Sequence, residues 1–525
     1  MRLALAQINA VVGDLDGNRV RILAALADAR AESAELVVFP ELAVTGYPPE
    51  DLLLRPAFVR AAEQSTREIA AATDGIVALV GTPWSFAEGL ANACAVCVDG
   101  ELGALYRKRL LPNYGVFDEE RYFEPGAEGL VVPLGGLRVG LTVCEDVWRP
   151  EPAADLAAAG AELLVNLSAS PFHVGKAESR EEMLAARARD NGLPLVFCNL
   201  VGGQDELVFD GHSALIEAGG EVVARAPGFA EHLLVVELET GGALTPFEPE
   251  LEQMRKALVL ALRDYVGKSG FGDVVLGLSG GIDSALVATL AVDALGPERV
   301  HCVSMPSRFS SEGTQTDAQR LAANLGCDFR ELPIEAMVGA FHDAGVGTAG
   351  LAAENLQARV RGMTLMSLSN EHGWLVLATG NKSELSVGYS TLYGDLAGGF
   401  ALIKDVYKTD VFRLARYLNE RAGRELIPVS IIERPPSAEL RAEQRDQDSL
   451  PPYADLDRVL EAYVELDRSR EELLVDGHDS AVVARALALI DRAEYKRRQA
   501  PPGVKLRPKA FGRDRRTPIT NRWDG

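Results

Sequence analysis

Short apolar runs alternate with stretches of helical spacing along most of this chain. Residues 3–8, 36–39, 76–81, 139–144, 163–166, 195–199 and 233–238 are apolar runs of strand length. Between them, residues 19–33 and 178–191 place apolar side chains at helical intervals. Such alternation predicts an α/β architecture. It pauses at residues 239–249, where two Gly and two Pro fall among eleven residues, the composition of a linker. An amphipathic stretch at 251–265 follows, and strand–helix alternation resumes at Val274. The pattern therefore predicts two α/β domains, 1–240 and 251–525, joined by a linker at 241–250. Residues 433–453 are polar and carry Pro435, Pro436, Pro451 and Pro452, which predicts a long loop or mobile flap.

Composition narrows the class. A chain of 525 residues, 47% hydrophobic and 25% charged, has room for two or three cores. With 53 Lys and Arg against 76 Asp and Glu, the net charge of −23 argues against nucleic acid or an anionic membrane as main partner. No apolar run approaches the ~18 residues of a membrane span. Residues 1–7 meet Gln7 too early for a signal peptide, so a first strand and a cytoplasmic location are expected. The six cysteines are too unevenly spaced for a disulfide framework. Cys94 and Cys97 match C-x-x-C but lie in a run that reads as a buried strand, and Cys198, Cys302 and Cys327 read as core residues. The seven histidines show no ligand spacing.

Residues Ser279-Gly-Gly-Ile-Asp-Ser284 follow the apolar run 274–278 and lead into Ile282, Leu286 and Leu290 at helical spacing. That is strand, glycine turn, helix. Gly280 and Gly281 let the turn close, and the N–H groups and dipole of the following helix favour an anion. The Walker pattern with its lysine is missing. The stretch Gly277, Leu278, Ser279, Gly280, Gly281, Ile282, Asp283 and Ser284 resembles instead the pyrophosphate loop S-G-G-x-D-S of ATP-dependent enzymes that adenylate a substrate oxygen. The resemblance implies that Asp283 is a magnesium ligand, because a carboxylate beside two phosphoryl groups needs a hard cation between them.

The first half has chemistry of its own in three separate pieces. Glu41, Lys108 and Cys144 each stand just past a predicted strand, where α/β folds gather active sites. A thiol becomes a good nucleophile when a base takes its proton, and a nearby cation stabilises thiolate and oxyanion alike. Singly, Glu41 could be a cap, Lys108 a surface charge and Cys144 a strand cysteine. Together they resemble the nitrilase or carbon–nitrogen hydrolase superfamily, which implies Glu41 as general base, Lys108 as oxyanion stabiliser and Cys144 as nucleophile. Residues 46–50 and 117–123 also fit that family. Glu119 is either a supporting carboxylate beside the lysine or a solvated loop acid.

An amide hydrolase joined to an adenylating loop reads as an ammonia source feeding an ammonia user. From end to end the chain resembles the glutamine-dependent NAD synthetases, most specifically at residues 354–361 and 378–395. The resemblance implies that Thr379 and Lys408 contact ATP and that Glu384 joins Asp283 on magnesium. Ser437 matches a further ATP contact, though as a residue it could equally be a helix cap. Asn355, Arg359, Glu384 and Tyr389 would line the deamido-NAD+ site, and Tyr114, Ser170 and Lys176 would hold glutamine. Longer family members tend to carry Arg where Lys176 stands, and Leu392 stands where ammonia-only synthetases tend to carry Lys. Residues 496–525 hold ten Lys or Arg against two Asp, with Phe511, Pro518, Ile519 and Trp523 interleaved. In this basic tail Lys496 would face a phosphate of the dinucleotide.

The implied fold is a nitrilase-like αββα sandwich followed by a Rossmann-like adenine nucleotide α-hydrolase domain with a parallel sheet. The implied reaction hydrolyses glutamine through a Cys144 thioester, adenylates deamido-NAD+ with ATP and Mg2+, and amidates the adenylate to NAD+. Expected partners are these small molecules and further copies of the chain, with no nucleic acid and no membrane. The alternatives are another ATP-dependent amidotransferase, or a plain amidase whose second domain senses a nucleotide.

Overall fold

Side chains of the first strand, Arg2–Gln7, alternate between two layers. Leu3 and Leu5 enter one apolar cluster with Leu36, Val38 and Leu79, where they meet Leu141, Val143, Leu163 and Val165 of a second sheet. Ala4 and Ala6 face the other way, with Val37 and Val80, under Ile22 and Leu26 of helix Leu15–Ala31 and Ile69 of helix Pro56–Ala70. The second sheet repeats the arrangement, its outer Leu164 and Phe197 packing against Leu156 and Leu184 of helices Pro150–Ala158 and Lys176–Asn191. Strands buried on both faces explain why the apolar runs are nearly continuous. The result is an αββα sandwich of a seven-stranded and a six-stranded sheet.

The computed structural model describes residues 1–523 and divides between Glu250 and Leu251 into two units. Asp524 and Gly525, the end of the basic tail, lie outside the described residues. In the first unit, strands Arg2–Gln7, Leu36–Val38 and Val77–Ser85 are parallel neighbours, as are Leu137–Val143, Leu163–Ser168 and Leu195–Asn199. The expected linker begins differently from its composition. Gly241–Gly242 pairs antiparallel with His232–Glu237 as an edge strand. Gly241 turns there at φ +78°, and a Cβ would stand 2.6 Å from the Val223 carbonyl, so the residue type follows from packing rather than from looseness.

The second unit opens with helix Glu250–Lys268 and holds a five-stranded sheet in the order Asp328–Glu331, Val300–Ser304, Val274–Gly277, Leu375–Ala378, Phe400–Ala401, all parallel. The chain runs outward from Val274–Gly277 on one side and returns to its other side with Leu375–Ala378. The carboxyl end of the central strand is therefore a topological switch point, where open α/β sheets bind ligands. Helices Tyr453–Leu460 and Ser480–Arg492 form a further core with Leu385 and Tyr407.

Residues 433–453 do form a long connection with one short 3-10 turn, Asp446–Asp448. It is tied down at several points: Arg434 pairs with Asp317, Thr314 Oγ1 donates to Glu439 Oε2 at 3.0 Å, and Tyr453 donates to buried Asp446 at 2.8 Å. No helix among the described residues is long and apolar enough to cross a membrane. Cys94 and Cys97 are buried in a strand, and burial pushes the Cys97 thiol up to about 12. Cys302 is buried, whereas Cys327 is half-buried with its sulfur 3.6 Å from that of Cys302.

Two candidate active sites

Cys144 ends strand Leu137–Val143 and begins the 3-10 turn Cys144–Val147 at φ +41°, a conformation L-residues rarely adopt. Asp146 holds this turn. One carboxylate oxygen accepts from Val143 N–H at 2.9 Å and from the Tyr106 hydroxyl at 2.8 Å, and the other accepts from the N–H groups of Arg109 and Leu110 at 3.0 and 2.9 Å. A single carboxylate thus ties the cysteine turn to the backbone just after Lys108. Glu41 follows strand Leu36–Val38, and its carboxylate accepts from Asn92 at 2.7 Å, from Ala169 N–H at 3.0 Å and from Lys108 Nζ at 2.7 Å. Lys108 also donates to Glu119 at 2.8 Å, and Tyr47 fixes Glu119 from the other side at 2.8 Å. Lys108 and Glu41 are fully buried, and Glu119 is nearly so, which settles it as a supporting carboxylate rather than a solvated acid.

The electrostatics follow from this burial. Burial alone would drive the proton off Lys108, but Glu119 and Glu41 outweigh it and hold the ammonium well above its ordinary range. Burial, and then the charge of Glu41, push the Cys144 thiol up, with Lys108 opposing. The cysteine therefore rests as a thiol in the field of the Glu41 carboxylate. Around it stand the residues expected to hold glutamine. Tyr114 is exposed and donates to Glu145 at 2.9 Å, Ser170 is buried with its N–H on Asn199, and Lys176 opens its helix with Nζ 3.8 Å from the centre of the Trp148 ring. Burial, with Arg180 beside it, lowers Lys176 to about 8. Among the histidines, His212 joins the buried bidentate pair Arg180–Asp210, a structural network away from any ligand pattern in the sequence.

In the second unit, the loop from Gly277 to Ser284 joins strand Val274–Gly277 to helix Ile282–Leu295, as the sequence predicts. Gly280 turns at φ +79°, and a Cβ there would lie 2.1 Å from the Thr314 carbonyl. Gly280→Ala is therefore expected to cost roughly 1–3 kcal/mol or more of stability and to cut ATP–pyrophosphate exchange. Thermal unfolding together with the exchange assay checks both, and an unshifted melting temperature would contradict the strain. Ser279 and Ser284 close the loop, their hydroxyls 3.2 Å apart, and Gly281 N–H donates to Ser279 Oγ at 3.2 Å.

Asp283 sits in the first turn of the helix, and Lys408, first residue of helix Lys408–Ala422, bonds both Asp283 and Glu384. The two carboxylates, 101 positions apart by number, are thus brought to one ammonium. Burial works against the charge of Lys408, but Asp283 and Glu384 raise it. Burial raises Glu384, against the pull of Lys408. Thr379 stands half-buried just past strand Leu375–Ala378. Asp446 of the long connection also faces this charge cluster, a contribution that nothing in its local sequence announces.

The dinucleotide candidates gather on the segment 388–395. Asn355 accepts from Thr391 at 2.8 Å, Arg359 Nε donates to the Leu392 carbonyl at 3.1 Å, and Lys496 donates to the carbonyls of Gly388 and Ser390, both at 2.7 Å, on either side of Tyr389. Other tail cations bind inside the unit: Lys505 pairs with Asp514, Arg507 with Asp410 and Lys509 with Asp467. Ser437 is exposed, and its hydroxyl accepts from Glu439 N–H in a turn that starts no helix. Its cap alternative therefore fails, because the backbone does not continue into a helix there.

Among the described residues, no group of three His, Cys, Asp or Glu side chains could hold a metal ion by itself. Two carboxylates already sharing one cation fit a hard divalent ion whose other ligands come from a phosphate. The carbon–nitrogen hydrolase family model matches residues 2–243, and the NAD synthase model matches residues 254–500. The chain is 46% identical to the glutamine-dependent NAD(+) synthetase of Thermotoga maritima, covering 100% of this chain and 99% of the relative. It is 47% identical to that of Xanthomonas campestris, covering 100% and 98%. A solved glutamine-dependent NAD+ synthetase from Acinetobacter baumannii, in complex with ADP, superposes with a TM-score of 0.80 at 40% identity over 99% of this chain and 98% of that one. Another, from Cytophaga hutchinsonii, gives 0.87 at 23% identity over 99% and 98%, a likeness of fold. With the carbon–nitrogen hydrolase model matching one unit, the NAD synthase model the other and relatives matching both throughout, the chain belongs to the glutamine-dependent NAD+ synthetases.

Proposed function

We propose that the enzyme makes NAD+ by two linked chemistries with the residue roles that follow. The observation behind this reading is that one chain holds both the buried Cys144–Glu41–Lys108 set and the Asp283–Glu384 pair at a pyrophosphate loop. Glu41 takes the Cys144 proton as the sulfur attacks the side-chain amide carbon of glutamine, while the Lys108 ammonium faces the oxyanion. Glu41 then returns the proton to the departing nitrogen, which leaves as ammonia. Water, deprotonated by Glu41, opens the thioester and yields glutamate.

In the second unit, the nicotinate carboxylate of deamido-NAD+ attacks the α-phosphorus of ATP, and pyrophosphate leaves along Gly277 to Ser284. A carboxylate is a poor electrophile until its oxygen becomes part of a good leaving group. Ammonia then attacks the acyl carbon, and AMP departs. Asp283 and Glu384 would hold a magnesium ion, which when bound screens the phosphate charge. Thr379, Lys408 and Ser437 would contact ATP, and Asn355, Arg359, Glu384, Tyr389 and Lys496 the deamido-NAD+. A cytoplasmic location and a homo-oligomeric assembly complete the proposal.

Supplied with deamido-NAD+, ATP and Mg2+, the protein should form NAD+, AMP and pyrophosphate with either glutamine or ammonium. Production of ADP and phosphate, or of glutamate alone, would overturn the scheme. Full-length relatives disfavour both a different amidotransferase and a plain amidase with a sensing domain.

Tyr114, Ser170 and Lys176 would hold glutamine, and Lys176 makes its binding pH-dependent. An ammonium that loses its proton near pH 8 cannot pair with the substrate carboxylate above that value. The KM for glutamine should rise as pH increases through 8, approaching about tenfold by pH 9. Lys176→Arg, which stays charged, should flatten the rise. Parallel KM profiles for the two proteins would remove Lys176 from the carboxylate site.

A further inference from the structure

Asp283 and Glu384 lie on separate elements, yet one fully buried amide joins them. Asn381 Oδ1 accepts the backbone N–H of Glu384 at 3.0 Å and caps helix Lys382–Val387. Its Nδ2 donates to Asp283 Oδ1 at 2.8 Å. The amide has no freedom to flip, because the backbone N–H of Glu384 can only donate and so takes the amide oxygen. The second oxygen of Asp283 receives Lys408, whose ammonium also bonds Glu384 Oε1 at 2.9 Å. Asn381, Asp283, Lys408 and Glu384 thus close a ring of hydrogen bonds.

We propose that Asn381 is a positioning residue that fixes the separation and facing of the two carboxylates offered to the nucleotide's divalent cation. This rests on the assignment of Asp283 and Glu384 as cation ligands. Capping alone does not explain the residue type. Ser, Thr and Asp cap a helix as well as Asn does or nearly so. Ser and Thr lack a donor that reaches across to Asp283, and Asp would set a third negative charge against it. Asn alone among these carries its capping acceptor and a donor on two separate atoms, and the structure uses both ends. With a divalent cation held by the two carboxylates, the Asn381 bond to Asp283 Oδ1 would leave Oδ2 to the ion and keep the carboxylate from turning.

The test is Mn2+ binding to the full chain, followed by electron paramagnetic resonance in the presence of an ATP analogue with a non-cleavable α,β bridge. Asn381→Ser keeps the cap, so it should fold, and should weaken Mn2+ binding about tenfold or more, the usual effect of removing an outer-shell partner. The Mg2+ concentration for half-maximal ATP–pyrophosphate exchange should rise by a similar factor, with the rate recovering at high Mg2+. A purely structural cap would lower the melting temperature without moving either metal midpoint. Asn381→Thr serves the same purpose if the serine variant does not fold. A wild-type Mn2+ midpoint in a folded variant overturns the proposal. Asp283→Asn separates the two levels: unchanged Mn2+ affinity there would mean that the ligand assignment itself is wrong, whereas loss there with no effect at Asn381 refutes only the positioning role.

Discussion

Replacing Cys144 with alanine should abolish NAD+ formation from glutamine, by on the order of 10³-fold or more, and leave formation from ammonium within about twofold. The asymmetry follows from where the thiol stands. Its neighbours are Glu41, Lys108 and Glu119, all of the hydrolase unit, and the pyrophosphate loop belongs to the other unit. Alanine removes the sulfur without disturbing Asp146, whose four hydrogen bonds to Val143, Tyr106, Arg109 and Leu110 set the local backbone. Initial rates with each nitrogen donor decide the matter. A folded variant that loses both activities would show that the chemistries are not separable.

At the other site, Asp283→Ala or Glu384→Ala should remove NAD+ formation with both donors, by about 10²–10³-fold or more, because each carboxylate would help hold the ion that screens the departing pyrophosphate. Glutaminase activity should survive. Each variant also leaves the buried Lys408 with one carboxylate fewer, so a lowered melting temperature should accompany the kinetic loss. Asp283→Asn retains the shape and isolates the charge. AMP formation at near wild-type rate in either alanine variant would exclude that residue from adenylation.

The residues legible from sequence are those whose chemistry is local. Cys144 ends and Glu41 closely follows a run apolar enough to be read as a strand, and Gly280 announces a turn that its φ of +79° bears out. Their partners are not local. Asn92 meets Glu41 across 51 positions, Tyr47 meets Glu119 across 72, and Asn381 meets Asp283 across 98. A motif places an element, but which loops then face one another depends on sheet order, which periodicity does not encode. Asn381's cap on the Glu384 helix and its second bond, to Asp283, both appear only in the structure. Element ends slip for a similar reason: a strand read as 76–81 extends to Ser85 because Val77–Ser85 continues to pair with Leu90–Val98 through Pro83. Glycines at 241 and 242 looked like linker and proved to be an edge strand.

The segment beyond Ala500 has a consequence for how the protein is made. Pro502 accepts from the Ala401 backbone, Asp405 accepts from the N–H groups of Leu506 and Arg507, and fully buried Lys382 donates to the carbonyl of Lys509. On the ribosome, Asp405 and Lys382 pair with each other at 2.8 Å but lack these further hydrogen bonds until residues 506–509 have emerged, and a buried ion pair with hydrogen bonds unmet is costly. The hydrolase unit, complete by Glu250, can reach its native state while the chain is still growing. The synthetase unit must wait until the segment 502–509 has been made. Ribosomes stalled after residue 300 should therefore display a nascent chain that already hydrolyses glutamine, whereas those stalled at 490 should not yet exchange pyrophosphate with ATP.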